Sequence, residues 1–197
     1  SRRQRQMCIR DSTCTVDINC GGIAKVVSIK RSRIDDHESL VKGAAHACDW
    51  YVVSNKDTSV AFQCDAGSKI VPCGNDDAVF HCFMPTLDKT GYSFKVSADF
   101  STDPSRKHII QDSSTAEAMK SAQELIARTV VRLVKEKNPD KYAVVSLLGA
   151  HTVLSPLATQ LESGILANLE HEAWIPLSNG GFSKPQGVKM LPRWLQE

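Results

Sequence analysis

The chain holds no apolar run long enough to cross a bilayer and no signal-peptide pattern, which sets the expectation of a cytoplasmic protein without a membrane partner. It has no C-x-x-C pair, and no histidine sits at zinc-finger spacing from a cysteine, so no metal site is expected. Glycine-rich phosphate loops are missing too. Gly21-Gly22 and Gly180-Gly181 are isolated pairs, and neither a G-x-G-x-x-G nor a Walker-type run occurs. His171-Glu172 opens an H-E-x-x-H pattern, but the closing position is Ile175, so the second zinc-binding histidine is absent. No Ser-His-Asp arrangement can be argued from residue order, and there is no internal repeat or low-complexity tract.

What is present is an ordinary apolar fraction for a globular protein, in a length that fits one large or two small domains. The first twelve residues, SRRQRQMCIRDS, resemble translated adapter sequence and are set apart as a non-native tail; the alternative is a basic arm for nucleic acid or an acidic partner. The charge balance turns on this segment. The whole chain carries +2; Arg2, Arg3, Arg5 and Arg10 against Asp11 make +3, so the remainder stands at −1. A near-neutral body gives no electrostatic basis for binding nucleic acid. Of seven cysteines, six lie outside the tail, most in or beside apolar strands, where a free thiol behaves as a small hydrophobe in a reducing compartment.

The front half reads as a β-rich meander. Thr13–Asn19 and Ile23–Lys30 form a hairpin around Cys20-Gly21-Gly22, and Arg31–Glu38 is a charged loop tip. Glu38–Cys48 is a short helix or an edge segment; Asp49–Val53 and Val60–Gln63 are strands, and Asp65–Asp77 is loop. The back half switches to helical spacing. Ser114-Thr115-Ala116-Glu117 fits a capping box ahead of Met119, Ala122, Ile126, Val130 and Leu133, with a stop near Lys137-Asn138-Pro139. Tyr142–Leu148 is too short to assign. Ser155-Pro156 caps a helix to about Glu170, carried by Leu157, Leu161, Ile165 and Leu169. Trp174–Leu177 and Val188–Pro192 read as short strands near an Asn179-Gly180-Gly181 turn. The expected fold is α+β: a mainly antiparallel sheet in front, with helices from Ser114 onward packed against it.

The stretch Val79–Asp112 organises the rest. Val79–Phe83 is an apolar strand, Met84-Pro85-Thr86 a turn, Leu87–Gly91 a polar loop, and Ser93–Ser97 an alternating strand. Ala98-Asp99-Phe100 then leads through a polar loop to Pro104-Ser105-Arg106 and His108-Ile109-Ile110. With Phe83, Pro85, Thr86, Thr90, Gly91, Phe94, Asp99, Phe100, Ser105 and Arg106 in order, this stretch resembles the segment after the ATP-binding lobe of Hsp90-like, sacsin-type GHKL ATPases. The resemblance extends more weakly to both flanks. It implies a transducer-like region at 13–112, comprising the end of the ATP lobe and the domain that receives the nucleotide signal, followed by a helical continuation at 113–197. It also implies a chaperone-like, ATP-dependent parent, with ATP and Mg2+ bound in an upstream lobe and none held by this chain alone. A homodimer is a further possibility that it raises.

Two residues stand out under that resemblance. Arg106 matches an arginine of a Ser-Arg pair that reaches the γ-phosphate when the domains close; the longer DFSTDP loop before it departs from the simplest pattern. A planar, permanently charged guanidinium suits that role. The plain alternative is a loop ion pair with Asp99 or Asp103. Lys89, in Asp88-Lys89-Thr90-Gly91, matches a loop lysine that touches the γ-phosphate in related transducers; the alternative is a solvated loop lysine. His108 is placed either to orient Arg106 or simply in solvent, and His81 inside a strand as a core or sheet-face residue. Asp65-Ala66-Gly67 only superficially resembles an adenine-reading motif, and the Asp76-Asp77 pair has no evident partner. Two other readings compete with the ATPase fragment: a non-enzymatic interaction module, and an accessory part of a DNA defence or repair system.

Overall fold

Alternating burial along the front half resolves into eight strands of one sheet in the computed structural model. The structure describes residues 11–20, 23–35, 37–42, 48–136, 143–148 and 155–188. The strands are β1 (Asp11–Cys20), β2 (Ile23–Arg33), β3 (Glu38–Lys42), β4 (Asp49–Ser54), β5 (Ser59–Cys64), β6 (Val79–Cys82), β7 (Met84–Lys89) and β8 (Lys95–Ser97). Their order is β1-β2-β3-β4-β5-β8-β6-β7. Neighbours are antiparallel except β6 and β8, which run parallel through Phe80↔Val96 and His81↔Ser97. The helices follow: α1 (Ser113–Lys135), α2 (Val144–Leu147) and α3 (Pro156–Glu170). A two-stranded ribbon, β9 (Ile175–Pro176) with β10 (Phe182–Ser183), and a 3-10 turn at Pro185–Gly187 close the described chain. The protein is α+β, with a mainly antiparallel sheet ahead of its helices, as the patterning predicts.

The core lies between the sheet and α1. One sheet face presents Tyr51, Val53, Val60, Phe62, Phe80 and Val96; α1 meets it with Met119, Ala122, Ile126, Val130 and Leu133, all buried. Phe94 tilts against Phe62 at 5.3 Å and stacks on Tyr92 at 5.1 Å, and Phe80 meets Phe100 edge-on at 5.5 Å. Each such ring contributes roughly 1.5–3 kcal/mol by leaving water. α3 then packs along α1 through Leu157, Leu161, Ile165 and Leu169. Its start is the predicted one: the Ser155 hydroxyl accepts from the Ala158 N–H at 3.1 Å, and Pro156 takes the first helical position.

Several local readings change. Met84-Pro85-Thr86 is not a turn and Leu87–Lys89 is not loop; they form β7, and only Phe83 separates it from β6. Proline is tolerated there because β7 is an edge strand, where a missing N–H breaks no ladder. Buried Thr86 fixes the strand by donating to the Phe80 carbonyl at 2.9 Å. The strand expected from Ser93 shortens to β8, although Phe94 before it is fully buried. Glu38–Lys42 is neither helix nor edge but an interior strand between β2 and β4; 43–47 lie outside the described residues. β2 runs on to Arg33, so the charged tip shrinks to the turn after it, where Asp35 Oδ1 accepts from the His37 and Glu38 amides. β1 begins at Asp11, inside the segment set apart above.

The capping box does not form either. α1 is capped by Asp112, whose carboxylate accepts from the Thr115 N–H at 2.8 Å. Backbone hydrogen bonding to Thr115 holds the Asp112 carboxyl below its ordinary range. An anionic cap suits the positive end of the helix, and Thr115 is left free to accept from the Ser101 amide at 3.1 Å. At the other end, Glu136 caps α1, with Arg132 and Lys135 in the last turn; 137–142 lie outside the described residues. So do Gly21-Gly22 of the first hairpin and 189–192 of the last predicted strand.

Candidate functional site

The Arg106 loop is a small, braced structure. Its base is the Thr102↔Ile109 bridge, and Asp103 organises its interior. The Asp103 carboxylate accepts from Ser105 Oγ at 2.6 Å, the Lys107 amide at 2.9 Å and the His108 amide at 3.2 Å. The serine bond first, then the amides, hold that carboxyl below its ordinary range. Arg106 N–H donates to the Asp103 carbonyl at 2.9 Å, and Arg106 adopts a left-handed backbone with φ 57°. Its side chain is exposed. Among the described residues no carboxylate forms an ion pair with it. The expected alternative, a pair with Asp99 or Asp103, is therefore not made.

The loop is pinned to β7. Leu87 N–H donates to the Lys107 carbonyl at 2.8 Å, and Ile109 N–H to Asp88 Oδ2 at 2.6 Å. His108 Nδ1 lies 3.2 Å from Asp88 Oδ1, so this ring faces Asp88 and does not orient Arg106. Cys82 Sγ donates to the Phe100 carbonyl at 2.9 Å, tying the end of β6 to the same segment.

Lys89 is differently placed. Its Nζ donates to the Asn75 carbonyl at 2.5 Å and lies 3.5 Å from Asp76 Oδ1. It folds back on the loop before β6 and shares no partner with Arg106. Asp77 takes Lys95 at 2.9 Å, and that ammonium also stands 4.0 Å over the Trp50 ring. The acidic pair thus has two lysine partners. Asp65 makes a local turn, its Oδ1 accepting from the Gly67 and Lys69 amides, both at 2.9 Å.

A second polar constellation, which the sequence does not reveal, joins the sheet to α1. Glu38 is 6% exposed, and Tyr51 Oη donates to its Oε2 at 2.6 Å. Arg132 pairs with Glu38 Oε1, donates to Tyr51 Oη at 2.9 Å and reaches Glu136 Oε1 at 2.9 Å. Burial, then the Glu38 hydrogen bond, push the Tyr51 phenol far above its ordinary range. Burial alone would lower the Arg132 pKa; the bond to Tyr51 and the two nearby anions reverse this and raise it. The group borders a cavity of about 370 Å3 that also touches Asp35, His37 and Arg128. Its members bond to one another across the sheet–helix boundary, which makes it a structural clasp in the first instance.

Two larger depressions lie among the described residues. One, about 690 Å3, follows α1 and α3 past Glu124, Arg128, Val131 and Asn168. The other, also about 690 Å3, is a trough on the sheet face away from the helices, bordered by Arg31, Ser39, Ser54, Ser97, Asp99 and Phe83. Among the described residues no group of three or more His, Cys, Asp or Glu could hold a metal ion, and no helix is long and apolar enough to cross a membrane. No family model matches this chain, and no curated protein or solved structure does.

Proposed function

We propose that this chain is the nucleotide-responsive part of an ATP-dependent, Hsp90-like GHKL protein: the part that reads a bound ATP, not the part that holds it. The observation that carries the reading is Arg106, an exposed guanidinium with no ion-pair partner among the described residues, on a turn braced from both sides. The one carboxylate inside its loop is engaged by Ser105, Lys107 and His108, so the loop presents a positive charge that its own carboxylate does not neutralise. A guanidinium in that position makes two parallel hydrogen bonds to phosphate oxygens, and it needs little reorganisation when it does so.

On this reading ATP and Mg2+ sit in an upstream lobe of the same protein, and closure brings the terminal phosphate to Arg106. The arginine then spreads charge that develops as the phosphoryl bond breaks. Lys89 has a lesser part, since it must first leave Asn75 and Asp76. A chaperone-like role, a cytoplasmic setting and a homodimer belong to the same proposal. The test is steady-state ATP turnover by the complete protein carrying Arg106→Ala and Arg106→Lys. Turnover should fall by about 10³-fold or more in the alanine variant while ATP affinity holds. Lysine should restore little, because it lacks the fork. Unchanged turnover removes Arg106 from the mechanism and leaves the interaction-module reading.

A further inference from the structure

The Arg106 turn takes its shape from within and its direction from outside. Asp103 fixes the interior. Its carboxylate holds the Ser105 hydroxyl and the Lys107 and His108 amides, its N–H donates to the His108 carbonyl at 2.9 Å, and its carbonyl accepts from the Arg106 N–H. A turn bonded this way moves as one body. Its base is the Thr102↔Ile109 bridge, and the chain just before the base is tied to α1 by the Ser101 amide on Thr115 Oγ1. A body hinged on so narrow a base can swing, and the swing is largest at the tip, where Arg106 sits. What opposes it is Asp88 of β7. Among the described residues this is the one side chain from outside the turn that bonds within 102–109, and it uses both oxygens. Oδ2 accepts from the Ile109 amide at 2.6 Å, and Oδ1 faces His108 Nδ1 at 3.2 Å. Asp88 is itself well placed to hold: its N–H donates to Thr86 Oγ1 at 3.3 Å, and buried Thr86 is bonded to the Phe80 carbonyl of β6.

We infer that Asp88 is the positioning residue for Arg106: it sets the direction in which the turn leaves the sheet, and it does so without touching a phosphate. The inference rests on the function proposed above and adds to it the group that aligns the guanidinium. A planar fork meets two phosphate oxygens only when both N–H bonds line up, and a misplacement of about 1 Å costs on the order of 10²-fold in rate. Such a group needs neighbours whose own positions are locked, which the Thr86–Asp88 segment supplies. The same strand carries Lys89 one residue on, held against Asn75 and Asp76, so β7 is the common reference for both cations of the proposed site. The shorter of the two Asp88 bonds needs an acceptor oxygen and not a charge, because its donor is the Ile109 backbone amide. Asparagine keeps that acceptor and alanine removes it.

The experiment uses the complete protein carrying Asp88→Ala, Asp88→Asn, Arg106→Ala and the pair Asp88→Ala with Arg106→Ala. Asp88→Ala should lower ATP turnover by about tenfold to 10²-fold with KM for ATP unchanged, and Asp88→Asn should recover most of that loss. In the Arg106→Ala background the further loss from Asp88→Ala should be under about twofold, since no guanidinium remains to be aligned. Amide hydrogen exchange reads the movement separately. In Asp88→Ala the Leu87 amide should exchange faster as its Lys107 acceptor swings away, while the Arg106 and His108 amides, bonded to Asp103 inside the turn, keep their protection. Loss of protection at all three means that the turn has melted and not swung, and overturns the inference. Parental turnover in Asp88→Ala overturns it too, as does an equal fold-loss in both backgrounds, which is what a purely structural carboxylate gives. In each of these cases an impaired Arg106→Ala leaves the Arg106 reading standing. If Arg106→Ala itself turns over ATP at the parental rate, the functional reading falls and takes this inference with it.

Discussion

Arg132 shows how much one residue can hold. It comes from the last turns of α1 and closes on a carboxylate from β3 and a phenol from β4, joining segments 81 residues apart along the Tyr51 bond. Glu38 is almost fully buried, so removing the guanidinium takes the cation from its carboxylate and leaves Tyr51 Oη as a neutral donor to it. The cost of breaking such a pair is about 3–5 kcal/mol when both partners are buried. The Arg132 side chain is 36% exposed, and solvent screening brings the expected loss for Arg132→Met down to about 2–3 kcal/mol. Urea denaturation measures it, and Glu38→Gln combined with Arg132→Met should recover part of it. A second residue-scale expectation concerns His81. Its Nε2 is buried with no hydrogen-bond partner among the described residues, and burial first, then Lys95, lower its pKa while Asp77 opposes the shift. The folded state therefore binds this proton less readily than the unfolded chain. The contribution is fully present above the ordinary histidine value near 6.5 and drains away as pH falls below it toward the folded value. His81→Gln should flatten the stability curve between about pH 7 and 5. The depressed carboxyls of Asp103 and Asp112 titrate lower and leave that window clear.

At the scale of elements, the contact of α1 with α3 offers a test that separates propensity from packing. Gly164 sits inside α3, and a Cβ there would stand 2.0 Å from Cδ of Gln123 on α1. The Gln123 amide crosses this gap to donate to the Gln160 carbonyl at 2.8 Å. Replacing glycine by alanine in a helix gains about 1 kcal/mol, and losing the displaced hydrogen bond costs a similar amount. Gly164→Ala alone should therefore change stability little, whereas the same change in a Gln123→Ala background should stabilise by about 1 kcal/mol. Thermal melts of the four proteins decide this. Elements also differ in how far they could be read in advance. α3 was legible to its ends because Ser155-Pro156 and four leucine-type residues at spacing four act within one helix. The start of α1 was not, because Asp112, Ser113, Ser114 and Thr115 are all competent caps and their choice depends on Ser101, which Thr115 must also serve. β7 was missed because Pro85 marks a turn unless the strand is an edge, and edge position is set by the parallel insertion of β8 between β5 and β6. The Glu38–Tyr51–Arg132 clasp had no local signature at all; it exists only once the sheet has closed on α1.

For the molecule as a whole, the question is whether stability and the proposed phosphate contact draw on the same groups. The sheet, α1 and α3 share one apolar core, and the clasp at Arg132 belongs to it. The turns at Phe83 and Arg106 stand apart: their exposed side chains add little to that core, and their backbones are held in costly conformations. A protein selected only for stability would place glycine at both turns. Arg106→Gly tests the separation directly. Glycine relieves the left-handed strain of φ 57°, worth about 1–2 kcal/mol, against roughly 0.4–1 kcal/mol from the greater freedom of the unfolded chain. The variant should be as stable as the parent or more stable by up to about 1.5 kcal/mol in urea. On the function proposed above, it should lose ATP turnover as Arg106→Ala does. A clear destabilisation would mean that the guanidinium is engaged in the fold, and an arginine committed to its own domain is not available to a phosphate on another.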